Sequence, residues 1–255
     1  MKKTIQQFIR FFNKSILKNN LPEKISIYFH DINDDELIAI KNIILFFQSL
    51  NYQFVTTDTF NRLLHSDKKL ISLTFDDGFK SWLKLIPLFK ENNIKATFFT
   101  NSIFLTEDNL TKYLKNINID SKERLISLEG IKKLVNYNHE IGAHTHSHFT
   151  LSSLSFEDFQ KEDQKNRIHL EKLAKVKNFA VPYGMRRYIT KDQQKYLEEQ
   201  YDSISFGEPG MQFDHETKFI QRHPWLISKS FYYNIENICS NTSYFNNLTL
   251  RSGLG

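Results

Sequence analysis

Cysteine, glycine and proline are scarce in this chain of 255 residues, which has one cysteine, 8 glycines and 5 prolines. The single cysteine, Cys239, excludes an internal disulfide and any metal site built from several thiolates. No stretch reaches the roughly 18 apolar residues that a membrane-spanning helix needs. No linker rich in proline, glycine or serine interrupts residues 25–222, so we expect one main domain over 23–229.

The charge pattern offers no sign of a nucleic-acid partner. The formal net charge is +5, and lysine and arginine are spread along the chain instead of forming a basic block. A modest basic excess of this kind is typical of soluble proteins and does not indicate DNA or RNA binding. It remains compatible with an anionic substrate or an anionic membrane surface.

The first 22 residues form a separate N-terminal extension. Met1 to Lys3 looks like the start of a signal peptide, but polar residues interrupt the segment after it, so we predict no signal peptide and a cytoplasmic location. Apolar residues recur at helical spacing over residues 1–18, opposite lysine and arginine. Such a helix either lies on an anionic membrane, placing the protein at the periphery of the inner membrane, or packs on the domain's own surface.

Short β-rich runs alternate with helical patterns, which predicts an α/β protein with a parallel sheet wrapped by helices. The predicted strands are Ile25–Phe29, Tyr52–Thr56, Leu70–Phe75, Ala96–Thr100, Glu140–Ala143, Phe179–Val181, Asp202–Phe206 and Phe219–Gln221. We expect Gly207–Glu216 and the C-terminal tail, residues 230–255, to be loops that shape a cleft.

Polar side chains follow these strands at the same end. They are His30-Asp31, Asp76-Asp77, His144 to His148, Pro182-Tyr183-Gly184 and Arg222-His223. Because the carboxyl ends of parallel strands in a barrel converge on one mouth, these distant segments are expected to share one site.

Two of these segments indicate a metal site. Adjacent Asp76 and Asp77 are costly unless a cation or a proton separates their charges, and Gly78 permits a turn that lets both face a pocket. The alternative is an ordinary Asp-Asp-Gly turn. His144 and His148 are spaced to bind one metal if the segment is helical or tightly turned, whereas His146 would point elsewhere. One aspartate with two histidines suits Zn²⁺, with Co²⁺ or Ni²⁺ also possible.

The motifs TFDDG, KATFF, HTHSH and FAVPYG, in this order, resemble the polysaccharide deacetylase family of NodB-like carbohydrate esterases. The segments IYFHDI and LNYQFVTTD are similar to its poly-N-acetylglucosamine branch. The resemblance spans about residues 25–225. It implies a distorted (β/α) barrel of about seven parallel strands, a divalent metal as the cofactor and a carbohydrate as the partner.

Carried over position by position, the resemblance implies that Asp76 is the catalytic base and that Asp77, His144 and His148 bind the metal. The backbone N–H of Tyr183 matches a donor to the oxyanion. The family often has an arginine where this chain has Ala180, and Arg222 in IQRHP is the candidate that orients Asp76 instead. His30 is favoured over His223 as the general acid.

The resemblance thus implies a metal-dependent hydrolase that removes an N-acetyl group from a surface polysaccharide or its precursor. Two alternatives stay open: an O-acetyl esterase on the same scaffold, and a catalytically silent glycan-binding module, for which Ala180 is the only support. The oligomeric state is not predicted.

Overall fold

The computed structural model describes residues 21–210, 212 and 218–252. The amphipathic helix predicted over residues 1–18, with its membrane contact, lies outside these residues, as does half of the loop predicted over Gly207–Glu216. Within the described part of the chain, no helix is both long enough and apolar enough to cross a bilayer. The cytoplasmic location and the domain boundaries stay predictions.

Nine strands of the described residues form one sheet, and every strand pair in it is parallel. The strands are β1 Lys24–Phe29, β2 Gln53–Phe54, β3 Leu70–Asp76, β4 Thr97–Thr100, β5 Glu140–Ala143, β6 Asn178–Ala180, β7 Ser203–Phe206, β8 Phe219–Gln221 and β9 His223–Pro224.

Eight α-helices surround the sheet in the described residues. They are α1 Asp34–Ser49, α2 Thr57–Arg62, α3 Leu85–Glu91, α4 Thr111–Asn116, α5 Leu128–Asn136, α6 Phe156–Leu170, α7 Lys191–Gln200 and α8 Phe231–Ser252. A capping box is present at Thr190 and Gln193, with the Gln193 N–H donating to Thr190 Oγ1. Such reciprocal bonds satisfy backbone donors that the first helical turn leaves free.

The sheet closes into a barrel through its last segment. Its order is β8-β7-β6-β5-β4-β3-β1-β9, with β2 attached to β3 off this path. β8 and β9 are the two ends of that order, yet only Arg222 separates them in the chain. One extended segment therefore pairs with β7 before Arg222 and with β1 after it. The predicted (β/α) barrel of about seven parallel strands is confirmed, because β8 and β9 together occupy one strand position in the barrel and β2 lies outside its path.

The two faces of β3 explain why the barrel can carry a polar site. All seven residues of this strand are buried. Thr74 and Asp76 accept hydrogen bonds from Arg222 across the barrel, so they face its interior. Phe75 points to the helices and stacks with Phe29 and Phe98, at ring-centroid distances of 5.4 and 4.9 Å. The apolar core thus lies between barrel and helices, and the interior is left to polar chemistry.

The C-terminal tail was predicted wrongly as a loop, because residues from Phe231 onward form helix α8. Ile235 and Ile238 are buried in the main core, and the Phe231 ring packs on Phe46 of α1 and on Trp225. The physical reason is amphipathic spacing: the buried side chains recur three and four residues apart, as on one face of a helix.

Three smaller expectations also differ from the structure. The strand predicted over Tyr52–Thr56 is reduced to Gln53–Phe54. The short helices α2 and α4 were not predicted. Arg222 does not end the last strand, because β9 continues directly after it. At this residue the extended segment changes partner from β7 to β1, which is the step that closes the barrel.

Candidate active site

The Asp-Asp-Gly segment turns sharply at the end of β3. Asp77 and Gly78 both adopt left-handed backbone conformations, with φ of 82° and 79°. A side chain at position 78 would meet the Phe104 ring at 2.5 Å, so glycine avoids both a strained backbone conformation and a displacement of this ring. The turn lets Asp77 point into the same cavity as Asp76 instead of to the opposite face of a pleated strand.

The predicted histidine pair meets Asp77 from the end of β5. The ring atoms His144 Nε2 and His148 Nε2 lie 3.3 and 3.1 Å from Asp77 Oδ1. The segment is a tight turn rather than a helix, with Thr145 and His148 at φ of 61° and 56°. Strained conformations of this kind cost about 1–3 kcal/mol each and cluster at functional sites. The structure therefore brings Asp77, His144 and His148 together.

This triad fits a divalent cation. His144 Nδ1 lies 2.7 Å from the Ala180 carbonyl, so the ring donates its proton there and turns the lone pair of Nε2 toward Asp77. Asp77 Oδ1 is buried without a hydrogen bond of good geometry, although two ring nitrogens approach it. Ligands about 2.0–2.1 Å from a tetrahedral centre lie about 3.3 Å apart, which matches these separations.

Asp76 is held away from the triad by Arg222. Both carboxylate oxygens accept hydrogen bonds from the guanidinium, each at 2.7 Å, in the bidentate geometry that arginine favours with a carboxylate. The guanidinium also donates to Thr74 Oγ1 and lies 5.0 Å from the Tyr28 ring centroid. Arg222 thus contacts Asp76 as an orienting residue would, and its role in orienting this carboxylate stays a prediction.

The two carboxylates keep their charges by different means. Burial is the largest influence on the pKa of Asp76 and raises it, but the charge of Arg222 and that of His144 bring the pKa below its ordinary value. For Asp77 burial again opposes ionisation, and His148 and His144 hold the pKa well below its usual range. Adjacent carboxylates with separate partners can both remain ionised.

Of the two histidines considered as the general acid, only His30 borders the cavity. Its Nε2 lies 3.9 Å from Asp77 Oδ2, and its side chain is 52% exposed. His223 is buried in β9, where it pairs with Ile27 on the barrel wall. Burial lowers the pKa of His223 to about 4, which favours the neutral ring. The leaving group of a substrate bound in the cavity could therefore reach His30 but not His223.

Tyr183 also lines the cavity, in the Pro-Tyr-Gly turn. Its φ is 59°, and the turn is closed by the Gly184 N–H donating to the Val181 carbonyl at 2.9 Å. The Tyr183 ring packs against His148 with a centroid distance of 4.7 Å. A side chain at position 184 would meet the Gly207 backbone at 2.6 Å, so glycine allows these two loops to approach.

All seven predicted site residues line a single cavity of about 320 Å³ at the carboxyl end of the barrel. This is within the size range of small-molecule sites, about 300–1,000 Å³. Its lining combines the candidate catalytic groups with apolar and amide side chains: Tyr28, His30, Asp76, Asp77, Phe79, Asn116, Ile117, Asn118, His144, His148, Val181, Tyr183, Gly184, Gly207 and Arg222.

Several supporting residues were missed from the sequence. Tyr113 donates to the backbone carbonyl of Asp77 at 2.6 Å, and Asn101 donates to the carbonyls of His144 and Thr145. Asn166 accepts from the His144 N–H. Asn101 follows β4 directly, so the strand-end argument could have found it. Tyr113 and Asn166 lie on helices and carry no such signal.

His146 is turned away from the triad, as predicted. It is buried, with Nδ1 2.8 Å from Ser102 Oγ and Nε2 3.1 Å from Glu107 Oε1. On its other side, Glu162 accepts from the N–H and the hydroxyl of Ser147. These bonds fix the histidine turn from outside the cavity, as supporting contacts do for metal ligands in general.

Most of these site residues lie in the part of the chain that is similar to known proteins. The model of the polysaccharide deacetylase family matches residues 64–201. A peptidoglycan-N-acetylglucosamine deacetylase of Bacillus cereus is 31% identical over 138 residues, which cover 52% of this chain and 42% of that protein. A chitin deacetylase of Colletotrichum lindemuthianum is 28% identical over 124 residues, covering 48% and 43%. The chain thus matches less than half the length of these relatives.

Solved structures share the fold over a longer stretch. IcaB from Ammonifex degensii superimposes with a TM-score of 0.66 at 18% identity, covering 85% of this chain and 95% of that one. The Streptococcus pyogenes deacetylase PplD, in complex with acetate, gives a TM-score of 0.66 at 17% identity and covers 86% and 97%. At these identities the likeness establishes the barrel alone.

Proposed function

The chain belongs to the polysaccharide deacetylase family, and from this premise we propose that it hydrolyses the N-acetyl group of an N-acetylated carbohydrate, releasing acetate and a free amine. The names of the two curated relatives, which act on peptidoglycan and chitin, support N-acetylglucosamine units as the substrate class. A surface polysaccharide or its precursor would supply such units.

One observation carries the proposal. A cavity at the barrel mouth contains an Asp-His-His cluster suited to a divalent cation, and beside it a second carboxylate that is held by Arg222 instead. Amide hydrolysis needs these two functions, polarisation of the carbonyl and activation of water, at one place. Because both carboxylates are present and oriented, the geometry also argues against a silent glycan-binding module.

Asp77, His144 and His148 would hold the cation, and zinc is the ion that we propose. When bound, it would supply Lewis acidity toward the acyl carbonyl and lower the pKa of an attacking water. Asp76 would take a proton from that water while the water oxygen bonds to the acyl carbon. The bidentate bonds to Arg222 keep this carboxylate aimed into the cavity, and each of its oxygens retains a further lone pair.

The developing oxyanion and the departing amine need partners on opposite sides. The Tyr183 N–H is the candidate donor to the oxyanion, in a turn whose left-handed backbone fixes its direction. His30, protonated, would donate to the amine nitrogen as the carbon–nitrogen bond breaks. That proton is essential, because an amine anion is a very poor leaving group. The products are acetate and a glucosamine unit.

The proposal is tested by measuring acetate release from tri-N-acetylchitotriose and from an O-acetylated glucoside, together with the zinc content of the purified protein. We expect about one zinc ion per chain and acetate from the N-acetylated compound. Asp77→Asn should lose both zinc and turnover. Asp76→Asn should retain zinc and lose about 100-fold or more in turnover, the usual contribution of a general base.

Asp158→Asn, on the exposed start of α6, is a control that removes one carboxylate outside the cavity. Acetate release from the O-acetylated compound alone would replace the proposed function with an esterase. Strong residual turnover in Asp76→Asn would remove this residue as the base. Absence of zinc in the active protein would contradict the proposed cofactor.

A further inference from the structure

The residue after the candidate acid is the centre of a hydrogen-bond network. The Asp31 carboxylate accepts from Ser81 Oγ, from the Ile32 N–H at 2.8 Å and from Arg124 Nη2. Burial raises the pKa of Asp31, but the bonds from Ser81, Arg124 and Ile32 bring it below its ordinary value. The carboxylate is therefore ionised and has partners from two other segments of the chain.

The same network restrains the backbone of His30. Trp82 Nε1 donates to the His30 carbonyl at 2.8 Å, and Ser81 Oγ accepts from the Ile32 N–H at 2.9 Å. Trp82 itself is fully buried in the core. The His30 ring, by contrast, is half exposed and close to the cavity mouth. Its direction therefore depends on how firmly the backbone on either side of it is held.

Arg124 brings in the wall of the cavity. Residues 116–118, where α4 ends and its connection to α5 begins, line the cavity, and Arg124 lies further along this connection. This connection is anchored to the Asp-Asp-Gly turn, since the Ile126 N–H donates to the Gly78 carbonyl at 2.8 Å and Leu125 pairs with Phe79. The ion pair between Arg124 and Asp31 links this connection to the end of β1.

We propose that Asp31, with Ser81 and Arg124, is a positioning residue: it sets the distance between His30 and the cavity wall so that the acid reaches the leaving nitrogen. This inference rests on the proposed deacetylation. None of the three residues was singled out by the sequence for such a role, and none of them touches the reacting atoms.

A purely structural role predicts a different result. The Asp31 and Arg124 side chains are 36% and 45% exposed, and ion pairs exposed to this degree contribute little to stability. We therefore expect Asp31→Asn and Arg124→Gln to unfold at nearly the wild-type temperature. Any large effect of these variants should appear in the reaction that needs the acid.

The leaving group separates these roles. An amide needs its nitrogen protonated, whereas the nitrophenolate of 4-nitrophenyl acetate leaves without a proton. In Asp31→Asn and Arg124→Gln we expect kcat on tri-N-acetylchitotriose to fall about tenfold with little change in KM, because a misplaced acid loses part of its ~100-fold or larger contribution. Hydrolysis of the nitrophenyl ester should change less than about threefold, as expected when no proton is required. Equal losses on both compounds would overturn the proposal.

Asp120→Asn is the matched control, because Asp120 pairs with the same arginine at 3.6 Å but does not contact Asp31. It should leave both rates near the wild-type values. Arg124→Lys restores a cation beside Asp31 and should recover most of the amide rate lost in Arg124→Gln. A failure of lysine to recover any of it, with the protein folded, would count against the ion pair as the positioning contact.

Hydrogen exchange provides a readout that does not depend on activity. In Asp31→Asn and Arg124→Gln, the amides of residues 30–33 and 119–126 should exchange faster, while those of β3 keep wild-type protection. Unchanged exchange in both segments would overturn the network. A wild-type protein inactive on both compounds, yet with these exchange changes in the variants, would instead contradict the proposed function and remove the acid that the network was inferred to position.

Discussion

Two neighbouring carboxylates with separate partners are the main feature of this protein at the scale of single residues. Asp76 faces a permanent cation, Arg222, and Asp77 faces two imidazoles. Two buried like charges side by side would otherwise force one of them to take up a proton. Because each has its own compensation, one is free to accept a proton from substrate water while the other is suited to a metal.

Substitution of Arg222 should distinguish orientation from charge. Arg222→Lys keeps a cation but cannot donate to both oxygens of Asp76, so we expect acetate release to fall about tenfold with zinc content unchanged. Arg222→Met leaves a buried carboxylate without its partner and should lower the free energy of unfolding by about 3–5 kcal/mol. Acetate release and urea-induced unfolding measure the two effects.

Arg186→Met is a suitable comparison for the stability measurement, since Arg186 packs on Phe206 and Phe219 but is about half exposed. Arg186→Met should lower the free energy of unfolding far less than Arg222→Met does. If Arg222→Met were as stable and active as the wild type, the buried pair with Asp76 would have neither of the roles given to it.

Residue-level expectations from the sequence succeeded where a motif lay at a strand end. Asp77, His144 and His148 converge as predicted, and Arg222 contacts Asp76 although 145 residues lie between them in the chain. The roles of the seven site residues stay predictions. Contacts from outside the strand ends, such as those of Tyr113, could not be predicted, because they depend on how a six-residue helix, α4, packs over the turn.

At the scale of elements, a buried carboxylate joins two helices. Asp163 on α6 accepts from the hydroxyls of Tyr196 on α7 and of Tyr201 at its C-terminal end. Burial raises the pKa of Asp163 to about 6, against the opposing effect of these hydrogen bonds. The folded state therefore holds a proton on Asp163 more tightly than the unfolded chain, whose carboxyl titrates near its ordinary value of 3.8.

This shift gives stability a pH dependence of known sign. A carboxyl whose pKa is raised by folding contributes its stabilisation below about pH 4 and loses it as pH rises to about 6, by roughly 3 kcal/mol in all. Asp163→Asn imitates the protonated acid. Relative to wild type, its free energy of unfolding should therefore increase by about 1 kcal/mol between pH 5 and pH 7. Urea-induced unfolding at each pH measures this difference.

Glu157→Gln, on the exposed face of the same helix, controls for the loss of one surface charge. The difference in free energy of unfolding between Glu157→Gln and wild type should be nearly independent of pH over this range. If the difference in free energy of unfolding between Asp163→Asn and wild type were also independent of pH, Asp163 would be ionised over this whole range in the folded protein. The hydrogen bonds from the tyrosine hydroxyls would then suffice to stabilise the buried carboxylate.

Elements were predicted best where propensity and packing agreed. The barrel strands β1, β3, β4 and β5 lie within one residue of their expected bounds, because buried strands read as short apolar runs between turns. Helix α8 was missed since asparagine and aromatic residues, which favour helices weakly, dominate its sequence. Its buried Ile235, Ile238 and Cys239 were the available signal, at helical spacing.

At the scale of the whole molecule, barrel closure turns separate motifs into one site. Strand order places the ends of β3 and β5 on either side of β4, and the segment around Arg222 closes the circle next to β1. Parallel direction was implied by the alternation of strands and helices, and the barrel by the family resemblance. The cavity wall at Asn116–Asn118 was not, because its position follows from contacts of an irregular connection and not from any periodic pattern.

A cation at this site should stabilise the whole fold, because its three ligands come from two strand ends, with 66 residues of chain between Asp77 and His144. A ligand that binds only the folded state at 100 times its Kd adds about 2.7 kcal/mol to the free energy of unfolding. For a domain of this size that corresponds to roughly 5–10 °C in Tm. We therefore expect the Tm of chelator-treated protein to rise by this amount on addition of zinc, measured by thermal unfolding.

The Tm of Asp77→Asn and of His144→Gln should rise by almost nothing, whereas Asp120→Asn should behave as wild type. An equal gain in Asp77→Asn would mean that zinc stabilises the protein from some other place, and that the Asp-His-His cluster is not its site.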